Sequence, residues 1–274
     1  MVLKRTTTAD LRKLKVAGER IPVVTAYDYS SARLVDRAEI PVVLVGDSMG
    51  QTMLGFADTL PVTVDDMVRA SAAVARGASR ALVVVDMPFM SYQSSTMDAL
   101  HNAGRLLKEG GAQAVKLEGG APVLEVVRAL DTAGIAVMGH LGLTPQSVHK
   151  LGGYGIQAKT TSTAEALLDD ALALEDAGVF AVVLELIPME LAEMVTSRLS
   201  IPTIGIGSGP ACDGEVQVWH DLLGLSLDFT PRHAERFCEA GETIVGALTK
   251  YAGDVRARRF PTEAQTSHMK EPLE

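Results

Sequence analysis

Short runs of aliphatic residues recur along the chain, and each is followed by a turn and a segment with helical periodicity. The runs lack strict polar–apolar alternation, which is typical of parallel strands covered on both faces. Alternating strands and helices predict a parallel sheet, and eight repeats predict its closure into an α/β fold, the (β/α)8 TIM barrel. The predicted strands are Pro22–Ala26, Val42–Gly46, Ala81–Val85, Ala114–Leu117, Ala136–Gly139, Ala181–Leu184, Thr203–Ile206 and Leu222–Leu225.

Several intervening helices carry recognisable start signals. Thr63 and Asp66 have the spacing of a capping box before an amphipathic segment. Ser162 and Glu165 form a true Ser-x-x-Glu box, which predicts a helix over Ala166–Ala177. These signals place helices between the predicted strands, as the barrel requires.

Other segments bear on domain organisation. Thr8–Val16 predicts an extra N-terminal helix that covers the bottom of the barrel, and Pro188 suits the first turn of a helix that begins after it. Thr144–Thr161 is the longest irregular stretch, and loops of that length are usually functional or mobile. Because no linker or repeat interrupts the chain, we expect residues 1–274 to form one catalytic domain, with a loose tail from about Phe260.

Charge and cysteine content narrow the functional class. The net charge of −9 argues against a nucleic-acid or anionic-membrane surface, and Arg256, Arg258 and Arg259 are expected to form a solvated helix end. Cys212 and Cys238 are too few for a disulfide framework or a zinc site, which predicts reduced thiols. The chain starts without a secretory signal and contains no apolar run of about 18 residues. We expect a cytoplasmic protein whose partners are small molecules.

Polar side chains interrupt six consecutive predicted strands at their carboxyl ends. In a (β/α)8 barrel these ends converge on one rim, where active sites are built. Since residues two apart on a strand point to the same face, Lys116 and Glu118 should enter the cavity together, leaving Val115 and Leu117 to face the helices. The residues predicted to converge are Asp47, Ser48, Asp86, Lys116, Glu118, His140, Glu185 and Ser208.

Each of these residues alone has a purely structural explanation. Asp47 or Asp86 could cap the following helix, and Lys116 with Glu118 could form an ion pair at the barrel mouth. The structural explanations weaken for the set, because burying three carboxylates around one mouth is costly without a cation.

The remaining rim residues leave similar alternatives. His140 could bond to neighbouring backbone or lie behind the metal ligands, and Glu185 could be a paired rim carboxylate. Ser208 could simply permit a tight turn.

A divalent metal would resolve the conflict between the carboxylates. Asp47, Asp86 and Glu118 offer hard oxygen ligands, which favours Mg²⁺ over zinc. Such an ion polarises a carbonyl and stabilises an enolate, so we expect enolisation of a small 2-oxo acid. Lys116 would pair with the substrate carboxylate, and Glu185 would move the proton.

Long sequence blocks resemble one known family. They are Val45–Gly50, Thr59–Thr63, Asp86–Met90, Val115–Gly120, Gly139–Ser147 and Ile204–Gly209, and their order and length resemble ketopantoate hydroxymethyltransferase, the 3-methyl-2-oxobutanoate hydroxymethyltransferase family, from about Thr6 to Tyr251. The resemblance implies transfer of a one-carbon unit from 5,10-methylenetetrahydrofolate to 3-methyl-2-oxobutanoate, giving 2-dehydropantoate for pantothenate and coenzyme A synthesis. It also implies a cytoplasmic homo-oligomer, commonly a decamer.

The family's functional residues map onto this sequence by position. The resemblance implies Mg²⁺ bound at Asp47, Asp86 and Glu118, substrate contacts from Asp47, Ser48, Asp86 and Lys116, and a proton acceptor at Glu185. One departure concerns the loop after the seventh strand, where Ala often stands in place of Ser208; a catalytic role for Ser208 is correspondingly less expected.

Three other functions fit the residue pattern. A lyase or mutase of the phosphoenolpyruvate mutase and isocitrate lyase type would share the metal–enolate chemistry without needing folate. A barrel that grips a phosphorylated substrate with Gly205–Gly209 would be inhibited by inorganic phosphate. A binding or assembly module would tolerate Asp86→Ala and show no turnover.

Overall fold

Parallel strands close into a barrel in the computed structural model, which describes residues 4–226 and 230–270. The strands are β1 (Ile21–Thr25), β2 (Val42–Val45), β3 (Leu82–Asp86), β4 (Ala114–Glu118), β5 (Ala136–Gly142), β6 (Ala181–Glu185), β7 (Thr203–Ile206) and β8 (Gly214–Gln217). Each is parallel to the next in chain order, and β8 pairs back onto β1, with Val23 opposite Val216. The predicted (β/α)8 barrel is confirmed.

Helices alternate with the strands. They are α1 (Thr8–Ala17), α2 (Tyr29–Arg37), α3 (Met49–Thr52), α4 (Val64–Gly77), α5 (Thr96–Lys108), α6 (Leu124–Thr132), α7 (Val148–Leu151), α8 (Thr161–Asp176), α9 (Met189–Arg198), α10 (Trp219–Leu222) and α11 (Ala240–Arg256), with 3₁₀ turns at Ala121–Val123, Pro145–Ser147 and Glu263–Gln265. The predicted Thr63–Asp66 capping box begins α4, and Pro188 is the N-cap of α9.

The start of α8 differs from the prediction. Its N-cap is Thr160, whose side chain accepts from the Thr163 backbone, while the Thr163 side chain accepts from the Thr160 backbone in return. Ser162 therefore lies inside the first turn. The Ser162–Glu165 box was wrong because a competing hydroxyl pair two residues earlier satisfies the same free N–H groups.

The barrel interior is filled by inward-facing aliphatic residues. Val42 and Leu44 of β2, Val84 of β3 and Met138 of β5 belong to one buried cluster. Leu11 of α1 is fully buried in the same cluster, which confirms the predicted extra N-terminal helix. This packing occupies the lower barrel and leaves the carboxyl ends of the strands for polar groups.

The predicted eighth strand was wrong. Leu222 ends α10, and Gly224 has a left-handed backbone with a φ of 62°. The eighth strand is Gly214–Gln217, in which Val216 is the aliphatic residue that joins the interior cluster. A strand with one inward aliphatic side chain carries little hydrophobic signal, whereas the leucines at 222–225 satisfied the pattern without pairing.

The segment Thr144–Thr161 is more ordered than predicted, because it contains a 3₁₀ turn and α7.

The chain divides into two compact units, Met1–Trp219 and His220–Glu274. The second contains α11, and the predicted tail from Phe260 carries exposed side chains through Lys270. Cys212 and Cys238 are free thiols. Among the described residues, no helix is both long and apolar enough to cross a membrane.

Candidate active site

Strand periodicity carries the polar residues into the barrel above its aliphatic core. Ala114 belongs to the interior cluster, so Lys116 and Glu118, two and four positions further along β4, point to the same side. Lys116 pairs in register with Asp86 of β3, and Glu118 with His140 of β5. Neighbouring strands therefore deliver these side chains to one cavity, as the sequence predicts.

Three buried carboxylates lie at this end of the barrel. Asp47, Asp86 and Glu118 are 4%, 3% and 6% exposed. The Asp47 backbone N–H donates to Asp86 Oδ2 at 3.0 Å, which ties the end of β2 to β3. Burial, and then the negative charges of Asp86 and Glu118, hold the pKa of Asp47 well above its usual value. Ionising all three groups at once is energetically unfavourable without additional positive charge.

Lys116 supplies one buried cation. Its Nζ lies 3.1 Å from Asp86 Oδ1 and 3.1 Å from His140 Nδ1. Burial lowers the pKa of Lys116, but the charges of Asp86, Glu118 and Asp47 outweigh it and raise the pKa above its usual value. The ammonium therefore stays charged and partly offsets the carboxylates.

His140 contacts two carboxylates. Its Nδ1 lies 3.5 Å from Glu118 Oε1, and its Nε2 lies 3.1 Å from Glu185 Oε2. Burial and the Lys116 charge lower the pKa of His140, yet hydrogen bonding to Glu118 and Glu185 raises it to about 9. Of the alternatives that the sequence left open, the geometry matches a residue placed behind the carboxylates.

Glu185 ends β6, and its side chain is 13% exposed. The next residue, Leu186, has a φ of +46°, a conformation that a leucine rarely adopts. The turn is fixed because the Leu143 backbone donates to the Glu185 carbonyl at 2.8 Å and Ser208 Oγ donates to the Leu184 carbonyl at 2.7 Å. Ser208 thus anchors the strand end that presents Glu185.

Ser48 lies one residue beyond Asp47 and is half-buried. Its Oγ is 2.9 Å from the hydroxyl of Tyr27, a fully buried side chain after β1. A Cβ on Gly46 would stand 2.7 Å from Ser48 Oγ, so the close approach of this hydroxyl to the backbone needs a glycine.

Two buried residues at the site carried no role in the sequence predictions. Gln146 Nε2 donates to Asp47 Oδ2 at 2.8 Å, and the Gln146 backbone donates to Glu118 Oε2 at 3.0 Å. Tyr92 is 1% exposed, and its hydroxyl accepts from the Glu118 backbone at 3.1 Å. Gln146 lies in the sequence block Gly139–Ser147, but a buried glutamine in a loop has no pattern that marks it from sequence.

The donor set at the rim fits Mg²⁺. Asp86 Oδ1 and Glu118 Oε1 are buried, and apart from Lys116 Nζ at 3.1 Å and His140 Nδ1 at 3.5 Å they have no polar partner among the described residues. Within residues 4–226 and 230–270, no three His, Cys, Asp or Glu side chains enclose a metal position by themselves. Mg²⁺ does not need such an enclosure, since it is usually held by one or two carboxylates together with waters and substrate oxygens.

Sequence comparisons match the chain to one family. A sequence model described as ketopantoate hydroxymethyltransferase matches residues 5–263. The 3-methyl-2-oxobutanoate hydroxymethyltransferase of Gluconacetobacter diazotrophicus is 56% identical over 266 residues, covering 97% of this chain and 96% of the relative. The protein of the same name from Chloroflexus aurantiacus is 52% identical, covering 97% of this chain and 94% of the relative.

Solved structures share the fold at low sequence identity. Phosphoenolpyruvate phosphomutase from Streptomyces platensis has a TM-score of 0.63 at 16% identity, covering 95% of this chain and 92% of that one. Phosphonopyruvate hydrolase in complex with oxalate and Mg²⁺ has a TM-score of 0.62 at 12% identity, covering 96% and 92%. These likenesses show the barrel, whereas the family match and the relatives show the activity class. The chain therefore belongs to the ketopantoate hydroxymethyltransferase family, a family of transferase enzymes of pantothenate biosynthesis.

Proposed function

We propose that this enzyme transfers a hydroxymethyl unit from 5,10-methylenetetrahydrofolate to 3-methyl-2-oxobutanoate, giving 2-dehydropantoate. The observation that carries the proposal is the cluster of three buried carboxylates beside a buried lysine, at the catalytic rim of a barrel that is 56% identical to a relative named for this keto acid. The folate donor rests on the family resemblance.

Asp47, Asp86 and Glu118 are the residues that would hold Mg²⁺. Their oxygens suit a hard cation, and one oxygen of Asp86 and one of Glu118 face only the Lys116 and His140 nitrogens. When bound, the ion would polarise the keto group of the substrate and so favour loss of the neighbouring C3 proton.

The chain's own residues bind and orient the substrate. The Lys116 ammonium is the buried cation available to the substrate carboxylate, and the charge of Asp86 keeps it protonated. Ser48 offers a hydroxyl beside Asp47, held in place by Tyr27. These contacts would fix the keto acid with its C3 carbon turned toward the carboxyl end of β6, where Glu185 lies.

Glu185 is the proposed base for the C3 proton. Its carboxylate sits at the rim, more exposed than the three ligands, where an incoming substrate reaches it. His140 Nε2 is 3.1 Å from Glu185 Oε2 and so orients the carboxylate without contacting substrate. A base needs this positioning before its pKa matters.

The test is exchange of the C3 proton of 3-methyl-2-oxobutanoate with deuterium, followed by NMR in the presence of Mg²⁺. We expect Glu185→Gln to abolish exchange while Mg²⁺-dependent binding of the keto acid stays within a few-fold of wild type. Glu190→Gln, at an exposed position of α9, is the matched control and should exchange normally. Wild-type exchange in Glu185→Gln would assign the base to another group.

The donor is tested separately. Product should form only when 5,10-methylenetetrahydrofolate is supplied with the keto acid and Mg²⁺. Exchange without any transfer in the complete mixture would keep the proton chemistry but refute the donor. Cleavage of the keto acid without a donor would instead favour a lyase.

We also propose a cytoplasmic homo-oligomer, as the family resemblance implies, with a decamer as the expected size and residues 1–274 acting as one catalytic domain. An apolar stripe on α11 supports self-association, because Ile244, Leu248, Tyr251 and Val255 are 42–61% exposed at helical spacing. Sedimentation velocity should show a single large species for wild type and smaller species for Leu248→Glu. A monomeric wild type would refute the proposal.

A further inference from the structure

Gln146 is a buried amide whose polar atoms are all engaged at the acidic site. It follows β5 in the 3₁₀ turn Pro145–Ser147 and is 5% exposed. Its Nε2 donates to Asp47 Oδ2 at 2.8 Å and to the Met87 carbonyl at 2.9 Å. Its backbone N–H donates to Glu118 Oε2 at 3.0 Å. One residue therefore holds two of the three carboxylates.

The orientation of this amide is fixed by its neighbours. Gln146 Oε1 accepts from the Tyr92 hydroxyl at 2.8 Å and from Gln93 Nε2 at 3.1 Å. A flipped amide would place its oxygen against the Asp47 carboxylate and its NH₂ against the Gln93 amide. The surroundings thus allow one arrangement, which aims both amide protons at acceptors.

Tyr92 supports Glu118 through the Glu118 backbone. Its hydroxyl accepts from the Glu118 backbone N–H at 3.1 Å and lies 3.2 Å from the Glu118 carbonyl. It comes from the loop after β3, whereas Gln146 comes from the loop after β5, and β4 lies between them. The two loops therefore meet over the end of β4 and clamp Glu118.

These contacts leave one oxygen of Glu118 and one oxygen of Asp86 facing only the nitrogens of His140 and Lys116. Glu118 uses Oε2 for the Gln146 backbone and keeps Oε1 without a hydrogen bond. Asp86 uses Oδ2 for the Asp47 backbone, and its Oδ1 faces only Lys116 Nζ at 3.1 Å. Hydrogen bonding to one oxygen of a carboxylate orients the other toward a ligand, which is the usual function of residues behind a metal site.

We propose that Gln146 and Tyr92 are positioning residues that orient Asp47 and Glu118 for a divalent cation. The inference rests on the proposed metal site and adds the residues that determine its affinity. Neither side chain contacts the substrate or the ion in this proposal. Loss of such partners typically weakens metal binding by roughly 10-fold to 100-fold.

The experiment measures Mn²⁺ binding without substrate, by the loss of the free Mn²⁺ EPR signal, because Mn²⁺ takes the same hard oxygen ligands as Mg²⁺. The first variant is Gln146→Met, which keeps chain length and removes the amide. The second is Tyr92→Phe, which removes one oxygen from a packed ring and should still fold. Both should raise the Kd for Mn²⁺ by roughly 10-fold or more relative to wild type.

Gln113→Met is the matched control. Gln113 precedes β4 at the opposite end of the barrel, where its Oε1 accepts from the Val83 backbone at 3.0 Å. Losing that bond should lower the thermal midpoint while leaving the Kd for Mn²⁺ within twofold of wild type. This separates a loss of positioning from general destabilisation.

The outcomes distinguish the positioning role of Gln146 and Tyr92 from the metal site itself. A wild type that binds Mn²⁺ and variants that bind equally well would overturn the positioning role and leave the metal site intact. An equal loss of affinity in Gln113→Met would show that the effect is general destabilisation, which also overturns it. A wild type that binds no Mn²⁺ would refute the proposed metal, and the inference with it.

Discussion

Replacing Lys116 with methionine removes the one lysine buried among the carboxylates of the site. Lys116 Nζ lies 3.1 Å from Asp86 Oδ1, and the two side chains are only 5% and 4% exposed. Asp86 Oδ1 has no hydrogen bond to replace that contact. Methionine has nearly the same length, so the substitution removes charge with little change in volume.

The expected cost follows from this burial. Removing one partner of a buried ion pair costs about 3–5 kcal/mol, because the other charge is left without compensation. At about 2–4 °C per kcal/mol for a chain of this size, the thermal midpoint should fall by roughly 6–20 °C. An exposed pair gives the contrast. Lys13 is 74% exposed and 3.0 Å from Asp10, so Lys13→Met should cost less than about 1 kcal/mol.

Thermal unfolding in EDTA and in excess Mg²⁺ measures both the cost and its cause. Without Lys116 the carboxylates carry one more uncompensated negative charge, so the divalent ion should bind more tightly. Each tenfold gain in affinity adds about 1.4 kcal/mol of stabilisation at saturating ion. Mg²⁺ should therefore raise the midpoint of Lys116→Met more than that of wild type. A loss below about 1 kcal/mol in EDTA, or an equal Mg²⁺ response, would refute this account of the cluster.

Three further changes test other parts of the structure. Burial raises the pKa of Asp36, but hydrogen bonds from the backbone and from Ser79 outweigh it and lower that pKa. The stability that Asp36 contributes is therefore present above the unfolded pKa of about 3.9 and is lost as the pH falls through the lowered value. The difference in unfolding free energy between wild type and Asp36→Asn, measured in urea, should shrink from about 1.5 kcal/mol or more at pH 7 toward zero in acid. Gly142→Ala should lower the free energy of unfolding by more than about 2 kcal/mol, since φ is +92° and the new Cβ would collide with the Glu185 carbonyl. Gly152→Ala is the control, because its φ is +74° but its surroundings are open, and it should cost roughly 1 kcal/mol. Equal losses in the two variants would show that the steric contact is irrelevant. Chelation with EDTA should abolish turnover reversibly, and activity that persists after chelation would exclude a required metal.

The barrel was predictable because its strands are covered on both faces. Ala81–Val85 and Ala181–Leu184 are aliphatic throughout, and the observed strands lie within one residue of these ranges. The eighth strand was not predictable in this way. Its interior packing depends on Val216, and its pairing with β1 is visible only once the sheet closes. Closure is a long-range constraint, and no local pattern in Gly214–Gln217 expresses it.

In the candidate site, too, the strand residues were predictable from sequence and the loop residues were not. Asp86 and Glu118 end their strands, and Lys116 lies in the middle of β4. A period of two fixes the side-chain direction along a strand, so the convergence of these residues followed from the strand assignment. Gln146 and Tyr92 come from loops 54 residues apart, and neither direction nor burial can be read from such segments.

The groups that loops contribute nevertheless follow from what the strands place in the barrel. Three carboxylates buried together raise the pKa of Asp47, so each oxygen that does not face a cation needs a donor. Strand backbones offer few such donors, because most of their N–H groups are used in the sheet. Loops above the sheet provide them instead, because the Gln146 side chain donates to Asp47 Oδ2 and the Gln146 backbone donates to Glu118 Oε2. A donor carrying positive charge would compete with the ion for the same oxygens, which explains why the residues that touch Asp47 and Glu118 from the loops are uncharged.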